Sequence, residues 1–119
     1  GMVVPWTVTT LCEQAGFTDA YRHIYPNQVT HPGFTFPSDN PLVEIDKLTW
    51  APKADERERI DFIFYQGKNI RAKKAAIFGP KTTIAHSQRV KEISQENFIL
   101  PLNVWPTDHK GVFVTFEIQ

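Results

Sequence analysis

Five prolines, Pro26, Pro32, Pro37, Pro41 and Pro52, fall in the stretch that runs from Tyr25 to Pro52. Each lacks a backbone N–H, fixes its own φ and biases the preceding residue away from helix, so no long helix or central strand fits between them. The stretch must be an ordered but irregular excursion, and regular structure has to come from either side of it. One island inside it, "GFTFP" at 33–37, has the composition of a single short strand.

Upstream, Leu11, Ala15 and Phe17 stand near helical spacing, with threonines before them for the N-cap and Gly16 as a stop. This predicts a short helix over about residues 7 to 15. Asp19 to His23 either adds a helical turn or stays a loop. Downstream, "ERIDFIFYQG" sets Ile60, Phe62 and Phe64 against Arg59, Asp61, Ile63 and Tyr65, the period-2 pattern of a strand. The turn "QGKN" then predicts a hairpin with "IRAKKAAIFG" as the partner strand. The segment from Pro80 to Pro101 is mixed and polar, and its "VKEISQENF" has room for a short helix. The closing run alternates Val112, Val114, Phe116 and Ile118 with Phe113, Thr115 and Glu117, a further strand. The expected fold is α+β: one domain over 1–119, mainly antiparallel sheet with one or two short helices.

Charge narrows the partners. With 13 Lys+Arg against 13 Asp+Glu, the chain lacks the basic footprint of a domain held to nucleic acid mainly by phosphate attraction. A lone Cys12 excludes an intrachain disulfide framework and a cysteine-rich zinc site, and it does not decide a compartment, so localisation stays open. No apolar run approaches the roughly 18 residues of a membrane span, and "GMVVPW" lacks the regions of a secretion signal. Gly before Met suggests a cleavage scar or an internal start. His23, His31, His86 and His109 have no metal-binding spacing.

Two places carry candidate chemistry. Asp108 and His109 stand just ahead of the closing strand, in "PTDH". Neighbours in an extended strand point to opposite sides, so both serve one site only if the backbone bends, and Pro106 favours such a bend. Asp61 sits mid-strand, where Asp is unfavourable. Two roles are open to it: a solvated residue paired with Arg59 on the same face, or an acceptor for the imidazole of His109 that fixes its tautomer.

"RIDFIF" followed by "PTDH" and a terminal apolar strand resembles the end of the endonuclease/exonuclease/phosphatase superfamily. "GFTDAYRHIYP" and "HPGFTFP" resemble two further blocks upstream, in the family's order. The resemblance implies a metal-dependent phosphoesterase. His109 would stabilise the phosphoryl group or exchange a proton with it, Asp108 would hold a divalent metal or the attacking water, and Asp61 would orient His109. Thr35 and Arg59 would be weaker substrate-binding candidates, with packing favoured for Thr35, and Asp19 and Arg22 would form a structural pair. Magnesium or manganese is the implied cofactor, a hard cation that offsets charge developing on phosphoryl oxygens.

The family's complete site also needs an early Asn, a metal-binding Glu and a "GDFN"-like turn, none of which this chain has in the proper order. Gln95–Glu96 comes too late in the chain, and Glu44 and Asp46 fall in the proline-rich excursion. The resemblance therefore implies the C-terminal half of a four-layer α/β sandwich, inactive alone, and possessing no bound metal of its own. Its partners would be a phosphoester substrate and the missing N-terminal half. Self-association is also expected, covering the Val112, Val114 and Phe116 face or the Phe62 face. The alternative is a non-catalytic phosphate- or metal-binding module of the same fold. Whether the substrate is nucleic acid, a phospholipid headgroup or a sugar phosphate is not set by the fold.

Overall fold

A computed structural model describes residues 7–48, 56–101 and 104–119. The expectations that fall on Gly1–Trp6 and on Pro52 lie outside the described residues. The first helix, α1, spans Thr7–Gln14. Gly16 ends it at φ +92°, where the amides of Ala15, Gly16 and Phe17 close onto the carbonyls of Leu11, Glu13 and Cys12. That left-handed backbone suits glycine best, which is why the helix stops there. A two-residue strand, β1 (Thr18–Asp19), leads into α2 (Ala20–Ile24), whose N-terminus is capped by the Asp19 carboxylate accepting from the amide of Arg22 at 3.3 Å.

Over 25–48, the described part of the proline-rich stretch, the chain is irregular as expected, with one 3₁₀ turn at Ile45–Lys47. "GFTFP" does not form a strand: only Phe36 pairs, as an isolated bridge to Glu58. Glu58 takes the amides of Thr35 and Phe36 and donates its own to the Phe36 carbonyl, while the Gly33 amide and the Thr35 and Pro37 carbonyls bond to Glu96, Lys110 and Thr83, so no continuous ladder builds. Gly33, at φ +73°, lets the chain pass Tyr21, whose ring a Cβ there would meet at 2.9 Å.

The predicted strand of 58–67 shrinks to β2 (Phe64–Tyr65), which pairs with β1 antiparallel. Between the Glu58 bridge and β2 the chain takes its hydrogen bonds from a side chain and a helix end, so the period-2 pattern is present without a ladder. The predicted hairpin is absent as well. The strand β3 (Ile70–Phe78) instead pairs antiparallel with β7 (Gly111–Ile118) from Ile70↔Ile118 to Phe78↔Gly111. A bulge between Ala72 and Lys74 turns two consecutive lysines, Lys73 and Lys74, outward, and Lys73 reaches Glu117 at 3.2 Å.

No helix forms in "VKEISQENF". That segment contributes the end of a hairpin, β4 (Thr82–Ala85) with β5 (Gln88–Lys91), and then β6 (Phe98–Ile99), which runs parallel to β3. Glu92 and Glu96 are turned into the protein at 3% and 8% exposure, which a surface helix would not allow. The central sheet has the order β6–β3–β7. Pairing is thus mainly antiparallel, with two short α-helices among the described residues, and the chain is α+β.

The core lies between α2 and the central sheet, where Tyr21, Ala75 and Ile77 are buried and Ile24, Tyr25, Phe98, Val112 and Val114 pack on them. Of the Val112–Val114–Phe116 face, Val112 and Val114 pack on this core from within the chain, and Tyr65 closes edge-on over Phe116 at 5.1 Å. Leu48 and Ile84 form a second small cluster. Among the described residues no helix is long and apolar enough to cross a membrane.

Candidate functional site

The first component is the extended segment that carries Asp61. Ile63 is fixed on one side, its carbonyl accepting from the amide of Ala20 at 2.9 Å, and Glu58 on the other by its bridge to Phe36. Between them, the amides of Ile60 and Asp61 both donate to Thr35 Oγ1, each at 3.2 Å. Thr35 is fully buried, so this hydroxyl does from a side chain what a neighbouring strand would do in a sheet. Thr35 is consequently a packing and backbone-holding residue, and its expected contact with substrate is not supported.

The second component is the loop ahead of β7. The backbone bends at Thr107–His109, as Pro106 suggested. Three anchors hold the bend: the Ser38 amide donates to Asp108 O at 2.6 Å, Trp105 Nε1 donates to His109 O at 2.7 Å, and the Lys110 amide donates to Thr35 O at 2.6 Å. The His109 amide donates to Thr107 Oγ1 at 3.3 Å, and the Phe36 ring lies tilted against the imidazole with centroids 5.2 Å apart.

These two components meet. His109 Nδ1 stands 2.7 Å from Asp61 Oδ2, and both side chains are 39% exposed. A carboxylate only accepts, so Nδ1 carries the proton in this bond and Nε2 holds the free lone pair of the neutral ring. Nε2 has no hydrogen-bond partner among the described residues. An imidazole so fixed can take a proton from water or give one to a phosphoryl oxygen or a leaving group.

Arg59 is placed elsewhere. Its Nη2 pairs with Asp19 Oδ1 at 2.5 Å, and its guanidinium carbon lies 4.8 Å from the Phe62 ring centroid and 5.8 Å from that of Tyr21. The ion pair is mostly buried, so Arg59 joins the segment that carries Asp61 to the N-terminal end of α2, and it makes no ion pair with Asp61 itself. The expected Asp19–Arg22 pair exists only through the backbone cap. The Arg22 guanidinium instead donates to the carbonyls of Tyr25, His31 and Pro32 at 2.9, 2.8 and 3.1 Å.

Asp108 is half-buried, with Thr107 Oγ1 3.5 Å from its carboxylate. Among the described residues there is no group of three or more His, Cys, Asp or Glu side chains able to hold a metal ion. One carboxylate does not make a magnesium site, so the described residues do not by themselves fit the implied cofactor. Glu44 and Asp46 are exposed on the 3₁₀ turn and its approach.

Two buried residues were not foreseen in these roles. Glu96 accepts from the Tyr21 hydroxyl and, at 2.8 Å, from the Gly33 amide, which ties "HPGFTFP" to α2. Burial and this carboxylate push the Tyr21 phenol well above its ordinary range. Lys110, beside His109, is 2% exposed, and burial pulls its ammonium down to about 8. The available signal was slight: a charged residue within or beside an apolar block, with partners far away in the chain.

No family model matches the chain, and no solved structure matches it either. It is similar to the uncharacterized protein F14F9.5 of Caenorhabditis elegans, 30% identical over an alignment of 118 residues that covers 96% of this chain and 32% of that protein. The chain spans about a third of the length of the curated relative it matches.

Proposed function

We propose that this chain supplies the His–Asp part of a phosphoester-hydrolysing site of the endonuclease/exonuclease/phosphatase type, as the C-terminal half of a four-layer sandwich in a longer polypeptide. The observation that carries the reading is the 2.7 Å contact of His109 Nδ1 with Asp61 Oδ2, with Nε2 of the partly exposed ring unpartnered among the described residues. The order of the four sequence blocks supports it. So does the length of the C. elegans relative, which leaves room for further site residues.

In this reading His109 Nε2 meets the phosphoryl group. As imidazolium it donates to a phosphoryl oxygen or to the departing oxygen, and as imidazole it takes a proton back. Asp61 holds the ring's orientation and balances the positive charge when it forms. Asp108 presents a carboxylate at the same bend, suited to a water molecule or to one coordination position of a divalent ion.

The test uses the longest natural polypeptide that contains this chain, a generic phosphodiester and magnesium. His109→Gln and Asp108→Asn, made separately, are each expected to lower kcat by about 100-fold or more. Unchanged turnover in both variants overturns the assignment.

A further inference from the structure

We infer that Lys110 is a positioning residue for His109, an inference that rests on the His109–Asp61 reading above. Lys110 follows His109 directly and is 2% exposed, an unusual place for a lysine. Its Nζ donates to the Pro80 carbonyl and, at 2.7 Å, to the Thr82 carbonyl, and it lies 5.2 Å from the centroid of the Phe98 ring. No carboxylate is within ion-pair distance of it among the described residues. A Met or Leu would fill the same volume without burying charge, so packing alone does not account for the residue.

What the ammonium adds is direction. Two carbonyls from one short segment, on either side of Lys81, accept from one tetrahedral head and fix where the Lys110 side chain runs. That segment is itself held, since Thr82 Oγ1 donates to Asp39 Oδ2 at 2.9 Å and Arg89 Nε donates to the same carboxylate at 3.0 Å. The main chain of Lys110 is meanwhile bonded to Thr35 O, and Thr35 Oγ1 holds the amide of Asp61. Lys110 thereby ties the backbone beside His109 to the residue that sets Asp61. Its side chain blocks rotation of this backbone, so the imidazole is presented to Asp61 in one orientation.

The test is the tautomer of His109, read by ¹⁵N–¹H correlation of the imidazole in the 119-residue chain. The wild type should show Nδ1 protonated and hydrogen-bonded in the neutral ring. In Lys110→Met, the signal should move to a mixture of Nδ1–H and Nε2–H forms while the dispersed amide spectrum of the folded chain is kept. A purely structural lysine would lower the unfolding midpoint and leave the tautomer as it was, and that result overturns the inference while the dyad stands. Wild-type His109 without a protonated Nδ1 would instead sink the reading beneath it. Should Lys110→Met not fold, Lys110→Gln keeps an uncharged amide donor group for the carbonyls on a shorter side chain: a partial shift toward the mixture supports the role, and an unshifted tautomer overturns it.

Discussion

Thr35 holds Asp61 from behind, its buried hydroxyl accepting the Asp61 amide at 3.2 Å while its carbonyl accepts the amide of Lys110, the residue after His109. One residue thus sets the backbone on both sides of the His109–Asp61 pair. The separation of the pair is fixed by the fold rather than by the weak attraction of two partly exposed groups.

Thr35→Val keeps the shape but removes the acceptor shared by Ile60 and Asp61. Each backbone donor left unpaired costs roughly 1–3 kcal/mol. Urea unfolding should show a clear loss of stability for Thr35→Val and a much smaller one for Thr35→Ser, which retains the hydroxyl. Equal midpoints for Val and wild type would contradict the role given to Thr35.

Arg59→Leu removes the partner of a carboxylate that is 6% exposed. Leaving such a charge unpaired costs about 3 kcal/mol or more. The expected result is a lower urea midpoint with the His109 tautomer unchanged. An unchanged midpoint joined to a raised KM for phosphodiester would return Arg59 to the substrate.

Alkaline pH should act through Tyr21. Burial and the Glu96 carboxylate raise its phenol above the ordinary 10.0, so the folded chain keeps a proton that the unfolded chain releases. Stability from this group is complete below about pH 10 and falls as pH rises beyond it. Tyr21→Phe should be less stable than wild type at pH 8, yet lose less on going to pH 11. Parallel losses in the two proteins would rule Tyr21 out as the cause.

Much of this was legible in the sequence. The alternation of β7 gave its faces, Gly16 gave the end of α1, and Pro106 gave the bend that turns Asp108 and His109 out of strand geometry. The Asp61–His109 contact was open from the residues alone, since a pairing with Arg59 explained Asp61 equally well. What decided it was Asp19, forty positions away from Arg59, whose carboxylate takes the guanidinium. Strand partners were hidden for a similar reason. The period-2 run of 58–65 says which side chains share a face but not what bonds to the backbone, and here a threonine hydroxyl replaces a strand. The β4–β5 hairpin escaped because its turn residues, His86 and Ser87, adopt φ of 51° and 60° without the Gly or Asn that usually marks such a turn.

The most direct measurement is the effect of Asp61→Asn on phosphodiester turnover by the longest natural polypeptide carrying this chain. Asn keeps the size of the side chain but presents an amide that lets His109 take the other tautomer, so kcat should fall by about 10³–10⁴ with KM changed only a few-fold. A variant that turns over at the wild-type rate would contradict the account: the 2.7 Å contact would then be an ordinary surface pair.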